Sequence, residues 1–230
     1  MIHQFLLITT LFSIWLSLSM AMVTLFGAVH FWLKNSTKET EIIPLKRYPT
    51  ISIVVPAHNE DVVIAQTMTA LLNLNYPPEK VELLLYSDNS TDKTAAEMRR
   101  IKKLPENQNR NIVIIERTGL GGKAGVLNDS LQVATGEFIA VYDADAMPER
   151  NALYFLVRKA LEDPERHVAV FGRNKTRNAD QNLLTQFINQ EIVVTQRIQH
   201  IAIWHLFKIG RIPGTNFIIR KDYVTEIGGW

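Results

Sequence analysis

Residues 51–60 read Ile51-Ser-Ile-Val-Val-Pro-Ala-His-Asn-Glu60, and residues 61–72 continue Asp61-Val-Val-Ile-Ala-Gln-Thr-Met-Thr-Ala-Leu-Leu72. Ile51–Val55 is a β-branched run interrupted only by Ser52, the pattern of a short buried strand, and Pro56 stops it. Residues 61–72 carry apolar side chains at helical spacing. The following Asn-Leu-Asn-Tyr-Pro-Pro ends them. A buried strand that leads into a helix is one βα unit.

The unit repeats down the chain. Further strands are predicted at Val81–Tyr86, Ile112–Ile115, Phe138–Tyr142 and His167–Phe171, with helices at Thr91–Leu104, Ala124–Ala134 and Asn151–Leu161. A long helical pattern covers residues 182–207, followed by a strand at Phe217–Ile219 and a short helix at Asp222–Ile227. Strands alternating with helices predict an α/β fold whose mostly parallel sheet is covered by helices. Ligands of such sheets lie beyond the carboxyl ends of the strands.

What precedes this domain is different in kind. From Phe5 to Leu33 there is no Asp, Glu, Lys or Arg, so residues 1–34 are predicted to be a transmembrane anchor. A cleaved signal peptide fits less well. The leading Met-Ile-His-Gln carries no Lys or Arg, and the apolar run continues a dozen residues past the small residues at 19–21. Lys34, Lys38, Lys46 and Arg47 all follow the apolar run, which places the rest of the chain in the cytoplasm by the positive-inside rule. Residues 35–49 are polar with two prolines and read as a linker, leaving 50–230 as the globular domain.

Composition excludes several classes. Without cysteine there is no disulfide framework, no thiolate metal site and no thiol catalysis. The 25 basic and 23 acidic residues nearly balance, which gives no indication of nucleic acid as a partner. Among the histidines only His58 follows a strand end, and none has metal-ligand spacing with another.

Four successive strand ends carry polar groups. After the first comes Pro56-Ala57-His58-Asn59-Glu60. After the second comes Ser87-Asp88-Asn89-Ser90-Thr91-Asp92, after the third Gly119-Leu-Gly-Gly-Lys123-Ala-Gly125, and after the fourth Asp143-Ala144-Asp145. Each has an ordinary explanation: helix capping for Asp88 and Asp92, a flexible turn for the glycines, a surface charge for Lys123, a solvated turn for Asp143 and Asp145. Parallel strands nevertheless bring all four to one rim, and together they suit a nucleoside diphosphate. Two carboxylates one residue apart can hold Mg²⁺ or Mn²⁺ and leave positions for diphosphate oxygens. Lys123 on a glycine-rich turn adds positive charge. Asp88 can accept from a base N–H. Arg173-Asn-Lys-Thr-Arg177 could reach an anionic donor or a lipid surface, and is equally a solvated basic turn. The apolar stripe from Leu183 to Ala202 suits core or membrane-interface packing.

The segments ISIVVPAHNE, SDNSTDKT, GGKAGVLNDSL, GEFIAVYDADAMPE and PGTNFIIRKDYVTEIGGW together resemble the family 2 glycosyltransferases of GT-A fold. Within that family they are similar to the membrane-bound branch of polysaccharide and glycolipid synthases. The resemblance covers about residues 50–230. It implies that Ala57, His58 and Glu60 form the nucleotide-contacting turn, with His58 where the family often has Tyr. It implies that Asp88 contacts uracil, with Ser87 in place of the family's first acid, and that Lys123 lies near the donor. Asp143 and Asp145 become the metal and diphosphate motif, and Gly214, Thr215 and Asn216 face the acceptor. The implied activity is inverting transfer of a sugar from a UDP-sugar to a polysaccharide or lipid acceptor at the cytoplasmic face of the cell membrane, using Mg²⁺ or Mn²⁺. The family's Thr-Glu-Asp motif, whose Asp is the general base, follows the Gly-Gly-Trp that here is Gly228-Gly229-Trp230. The base is therefore expected beyond Trp230, and the 230 residues alone are expected to be incomplete and inactive in transfer. The competing reading is a nucleotide-binding or regulatory module. A dinucleotide dehydrogenase is disfavoured because no G-x-G-x-x-G follows the first strand.

Overall fold

The computed structural model describes residues 2–34, 42–176 and 178–230. Helix α1 (Ile2–Lys34) is followed by β1 (Ile51–Ala57), α2 (Ile64–Leu72), β2 (Val81–Asp88), α3 (Thr94–Lys102), β3 (Asn111–Arg117), α4 (Gly122–Val133), β4 (Phe138–Val141), α5 (Ala152–Glu162) and β5 (Ala169–Phe171). Then come α6 (Leu183–Val193), a π-helical turn (Val194–Gln199), α7 (His200–Phe207), β6 (Phe217–Arg220) and α8 (Lys221–Glu226). The chain forms two compact units. One combines residues 43–172 with 212–230, and the other combines 1–42 with 173–211.

The first unit is built on a six-stranded sheet in the order β3-β2-β1-β4-β6-β5. β1 pairs in parallel with both β2 and β4, and β2 pairs in parallel with β3. β6 runs antiparallel to β4 and to β5, so five strands share one direction and β6 alone is reversed. The predicted mostly parallel sheet is the one observed, and it is the fold class of the GT-A enzymes. Strand order reverses between β1 and β4, the position where open α/β sheets form their ligand crevice.

Alternation along β1 sets the two layers. Ile51, Ile53, Val55 and Ala57 face a core shared with Ile64, Met68 and Leu71 of α2, Met98 and Ile101 of α3, and Leu153, Leu156 and Val157 of α5. Val54 faces the other way, into a core with Leu84, Ile139 and Val141 and with Val126 and Leu127 of α4. With both faces covered, every strand residue from Ile51 to Val55 is buried, which is why the run is apolar at every position but Ser52.

Several boundaries differ from the sequence reading in ways that matter for the site. β2 continues two residues past Tyr86 to Asp88, and β3 continues past Ile115 to Arg117. The two extensions pair with each other, Ser87 opposite Glu116 and Asp88 opposite Arg117. Of the predicted linker, residues 35–41 lie outside the described residues. Residues 42–49 carry no helix or strand, but Leu45 and Tyr48 pack on the core, and the Ile43 N–H donates to the Tyr154 hydroxyl at 3.0 Å.

In the second unit, the 33 residues of α1 make a helix about 50 Å long at 1.5 Å per residue. By length and composition α1 can cross a membrane, and no residue in its most apolar window is buried. The continuous helix expected over residues 182–207 is interrupted by the π turn, where one extra residue is accommodated. That turn packs on α1: Gly27 lies so close to the Ile198 carbonyl that a Cβ there would stand 2.4 Å from it. The rings of His30 and His205 lie 4.3 Å apart.

Candidate functional site

The carboxyl ends of β1, β2, β3 and β4 bring their following residues to one rim. Three asparagines shape the turns of the rim, Asn59 and Asn89 on the β1–β2 side and Asn216 directly before β6. Asn59, Asn89 and Asn216 take left-handed backbone conformations, with φ of 55°, 51° and 54°, which Asn tolerates better than most residues. Asn59 Oδ1 accepts the Thr91 N–H at 2.8 Å, tying the turn after β1 to the turn after β2. The Asn89 side chain donates to the Gly119 carbonyl at 2.8 Å and accepts its N–H at 3.2 Å, tying β2 to the glycine loop after β3. The sequence reading named Asn216 among the acceptor-facing residues but did not single out Asn59 or Asn89. For those two the available signal was an Asn one or two places beyond the buried strands β1 and β2.

The sequence-predicted residues of this side fall together. Ala57 is the buried last residue of β1, in register with Ser87. His58 is exposed, and its Nδ1 lies 2.7 Å from the Asp88 carbonyl oxygen. A carbonyl only accepts, so Nδ1 donates to it, and Nε2 lies 3.3 Å from Asn59 Nδ2. The Glu60 N–H donates to Thr94 Oγ1 at 2.7 Å, and its carbonyl accepts the N–H groups of Val63 and Ile64 at the start of α2. The Glu60 side chain makes no hydrogen bond among the described residues.

Asp88 and Asp92 part company. The Asp92 carboxylate accepts from the Thr94 N–H, the Thr94 hydroxyl and the Asp61 N–H, which is capping work. Asp88 caps nothing. Its Oδ1 accepts Arg117 Nη1 at 2.7 Å and Asn89 Nδ2 at 3.1 Å. Arg117, which the sequence reading missed, also donates through Nε to Asp129 at 2.5 Å. Asp129 foremost, and Asp88 after it, hold the guanidinium's proton more firmly than usual. An arginine closing a β-branched run reads as surface charge, and its partners come from β2 and α4.

On the β4 side, Gly121 opens α4 with φ of 93°, a conformation that favours glycine. The turn directs Lys123 to the end of β4, where Nζ donates to Asp143 Oδ1 and, at 2.7 Å, to the Gly214 carbonyl. The Asp143 N–H donates to Thr215 Oγ1 at 3.0 Å. The Asn216 N–H donates to the Val141 carbonyl at 2.8 Å. Lys123, Asp143, Gly214, Thr215 and Asn216 therefore adjoin one another, although 91 residues separate Lys123 from Gly214. Asp145 is exposed and makes no hydrogen bond or ion pair among the described residues. Asp222, a further carboxylate near the end of the sequence, lies elsewhere. It follows Arg220, which pairs with Phe138 at the start of β4, and so sits at the opposite rim in a salt bridge with Arg220.

The chemistry of the donor set fits a metal shared with a nucleotide. No group of three or more His, Asp, Glu or Cys among the described residues could hold an ion alone. Asp143 and Asp145 carry hard carboxylate oxygens of the kind such an ion takes, and Asp145 has no competing partner among the described residues. Phosphate oxygens and water can complete the shell of Mg²⁺ or Mn²⁺ in such a site.

A mostly parallel sheet with one reversed strand and polar residues gathered at its switch point is consistent with the GT-A fold. The chain belongs to glycosyl transferase family 2, whose description matches residues 52–228. It is 37% identical over 221 residues to a probable glycosyltransferase, YdaM, of Bacillus subtilis, covering 94% of this chain and 51% of that one. It is 34% identical over 184 residues to the beta-monoglucosyldiacylglycerol synthase of a Nostoc species, covering 79% of this chain and 38% of the relative. The chain thus spans about half or less of the length of these relatives. Among solved structures, the mannosyltransferase PcManGT of Pyrobaculum calidifontis, in complex with GDP-Man and Mn²⁺, superposes with a TM-score of 0.64 at 24% identity. That match covers 93% of this chain and 57% of the other, and it shows the shared fold.

Proposed function

We propose that the chain is the donor-binding part of a membrane-anchored glycosyltransferase that takes a sugar from a UDP-sugar and passes it to a polysaccharide or glycolipid acceptor. The observation that carries this reading is the rim itself, with Asp88 on β2 and Lys123, Asp143 and Asp145 around the end of β4. Asp88 keeps one carboxylate oxygen, Oδ2, without a partner among the described residues, and that oxygen is available to accept the uracil N3–H. Lys123 binds the diphosphate. Asp143 and Asp145 would hold Mg²⁺ or Mn²⁺, and a metal there offsets the charge on a departing diphosphate. Gly214–Asn216 border the sugar end, where the acceptor oxygen attacks the anomeric carbon as the diphosphate leaves, inverting that carbon. No residue of 1–230 is given the role of general base. The α1 span and its one-sided Lys/Arg flank support a cytoplasmic site.

Calorimetry on the full chain in lipid nanodiscs tests the donor. UDP is expected to bind in the presence of Mn²⁺ or Mg²⁺, to bind far less well with chelator, and to be preferred over GDP. Metal-independent binding overturns the role of Asp143 and Asp145, and preference for GDP overturns the role of Asp88. A reporter fused after residue 50 that is active only outside the cell would overturn the topology.

A further inference from the structure

Arg117 uses all three nitrogens of its guanidinium. Nη1 donates to Asp88 Oδ1 at 2.7 Å, Nε to Asp129 Oδ2 at 2.5 Å and Nη2 to the Leu120 carbonyl at 2.7 Å. Its own carbonyl accepts the Asn89 N–H at 2.8 Å. The glycine loop is moulded on this group. A Cβ on Gly119 would stand 3.0 Å from the guanidinium carbon, and one on Gly125 would stand 2.7 Å from Nη2. One side chain thus joins two parts of the rim with different tasks: the acid on β2 and the loop that presents Lys123.

We infer that Arg117 is a positioning residue that couples base recognition to diphosphate recognition, holding Asp88 for the base and the 119–123 loop for the phosphates. The inference rests on the donor reading above. A planar guanidinium can hold three acceptors in one fixed fork, whereas an ammonium is a point charge on a flexible stem. Without Arg117, Asp88 keeps only Asn89 Nδ2 as a side-chain donor among the described residues. A nearly buried carboxylate left this way turns toward solvent and stops accepting from the base. The Leu120 carbonyl is released at the same time, which loosens the turn leading to Lys123.

The test is a double-mutant cycle on the full chain in nanodiscs with saturating Mn²⁺, reading uridine and UDP affinities. Arg117→Gln is expected to weaken uridine about tenfold, and UDP by a larger factor. In an Asp88→Asn background the uridine loss from Arg117→Gln should vanish, while the additional UDP loss persists. Arg117→Lys should restore neither. Equal losses for uridine in both backgrounds, or full rescue by lysine, would overturn the inference. If Arg117→Gln does not fold, Arg117→Lys carries the same cycle, with the same non-additivity expected. A wild-type chain that binds neither uridine nor UDP refutes the donor reading and the coupling with it. A wild-type chain that binds both, with additive variants, refutes the coupling alone.

Discussion

The two sides of the rim are built differently. On the side proposed to take the base, Asp88 and Arg117 have side chains only 9% and 13% exposed, and the turns around them are cross-linked through Asn59, Asn89 and Thr94. On the side proposed to take the diphosphate, Lys123 and Asp143 are 39% and 41% exposed, and Asp145 stands free of protein partners among the described residues. The base side satisfies its charges internally and is set before any ligand arrives. The diphosphate side holds a lysine against a carboxylate in water, an interaction worth little to stability and cheap to exchange for phosphate oxygens or a metal. Recognition of a rigid, neutral base gains from pre-organisation. Binding a charged diphosphate with its metal needs ligands that are free to leave their resting partners.

The largest effect that follows from this contrast is on the open side. Asp145→Asn should lower metal-dependent UDP affinity about a hundredfold with no change in far-UV circular dichroism, because an exposed rim residue supports little packing. Unaltered affinity would mean that the open side is merely solvated. Next in size is the pair Asp88→Ala and Lys123→Gln. The first should weaken uridine and UDP alike, and the second should weaken UDP while sparing uridine, each about tenfold. A Lys123 variant that also loses uridine would erase the division of labour between the two sides.

A smaller effect tests what lies beneath the open side. The Tyr142 hydroxyl, directly before Asp143, is buried with no hydrogen-bond partner among the described residues, and burial pushes its phenol pKa up. Tyr142→Phe removes a buried, unpaired polar group and should leave stability unchanged or raise it by about 1 kcal/mol. A clear fall in melting temperature would show that the hydroxyl is satisfied, by water or otherwise.

The same contrast explains what could be read in the sequence. The strand ends were legible because buried parallel strands are apolar runs, and their polar residues begin where burial stops. Lys123, Asp143 and Asp145 stood out for the same reason: they follow strand ends beside glycine or alanine, with Lys123 in the first turn of α4. The base side was less so. β2 and β3 were expected to end two residues early because Ser87, Asp88, Glu116 and Arg117 are polar, yet they continue the ladder because each finds its partner across it. The partners of Arg117 lie 29 residues back and 12 residues ahead, beyond any local pattern. The π turn at Val194–Gln199 was hidden for another reason. The helix around it is apolar on several faces, so one inserted residue leaves the periodicity almost unchanged.

The smallest expected effect concerns Asp92, which helps to close the base side. Its carboxylate accepts from the Thr94 N–H at 2.9 Å, the Thr94 hydroxyl at 2.6 Å and the Asp61 N–H at 3.1 Å, joining the start of α3 to the turn after β1. Burial pushes its pKa up, but these hydrogen bonds outweigh it and the net shift is downward. In the unfolded chain an aspartate titrates near 3.9, roughly its ordinary value. The folded state therefore binds the proton less readily, and the stabilisation is complete above the unfolded value and lost as pH falls through the lower, folded one. Asp92→Asn keeps the size of the side chain and removes the charge that the three donors favour. The wild type should melt above the variant at pH 7, and the gap should close as pH falls from about 5 toward 3. Tryptophan fluorescence melts of both proteins at several pH values check this. Uridine affinity near neutral pH should not change, because Asp92 is spent on the turn and not on the base. A melting gap that stays constant with pH would show that the donors do not prefer the carboxylate, leaving Arg117 and the asparagines to hold the base side without it.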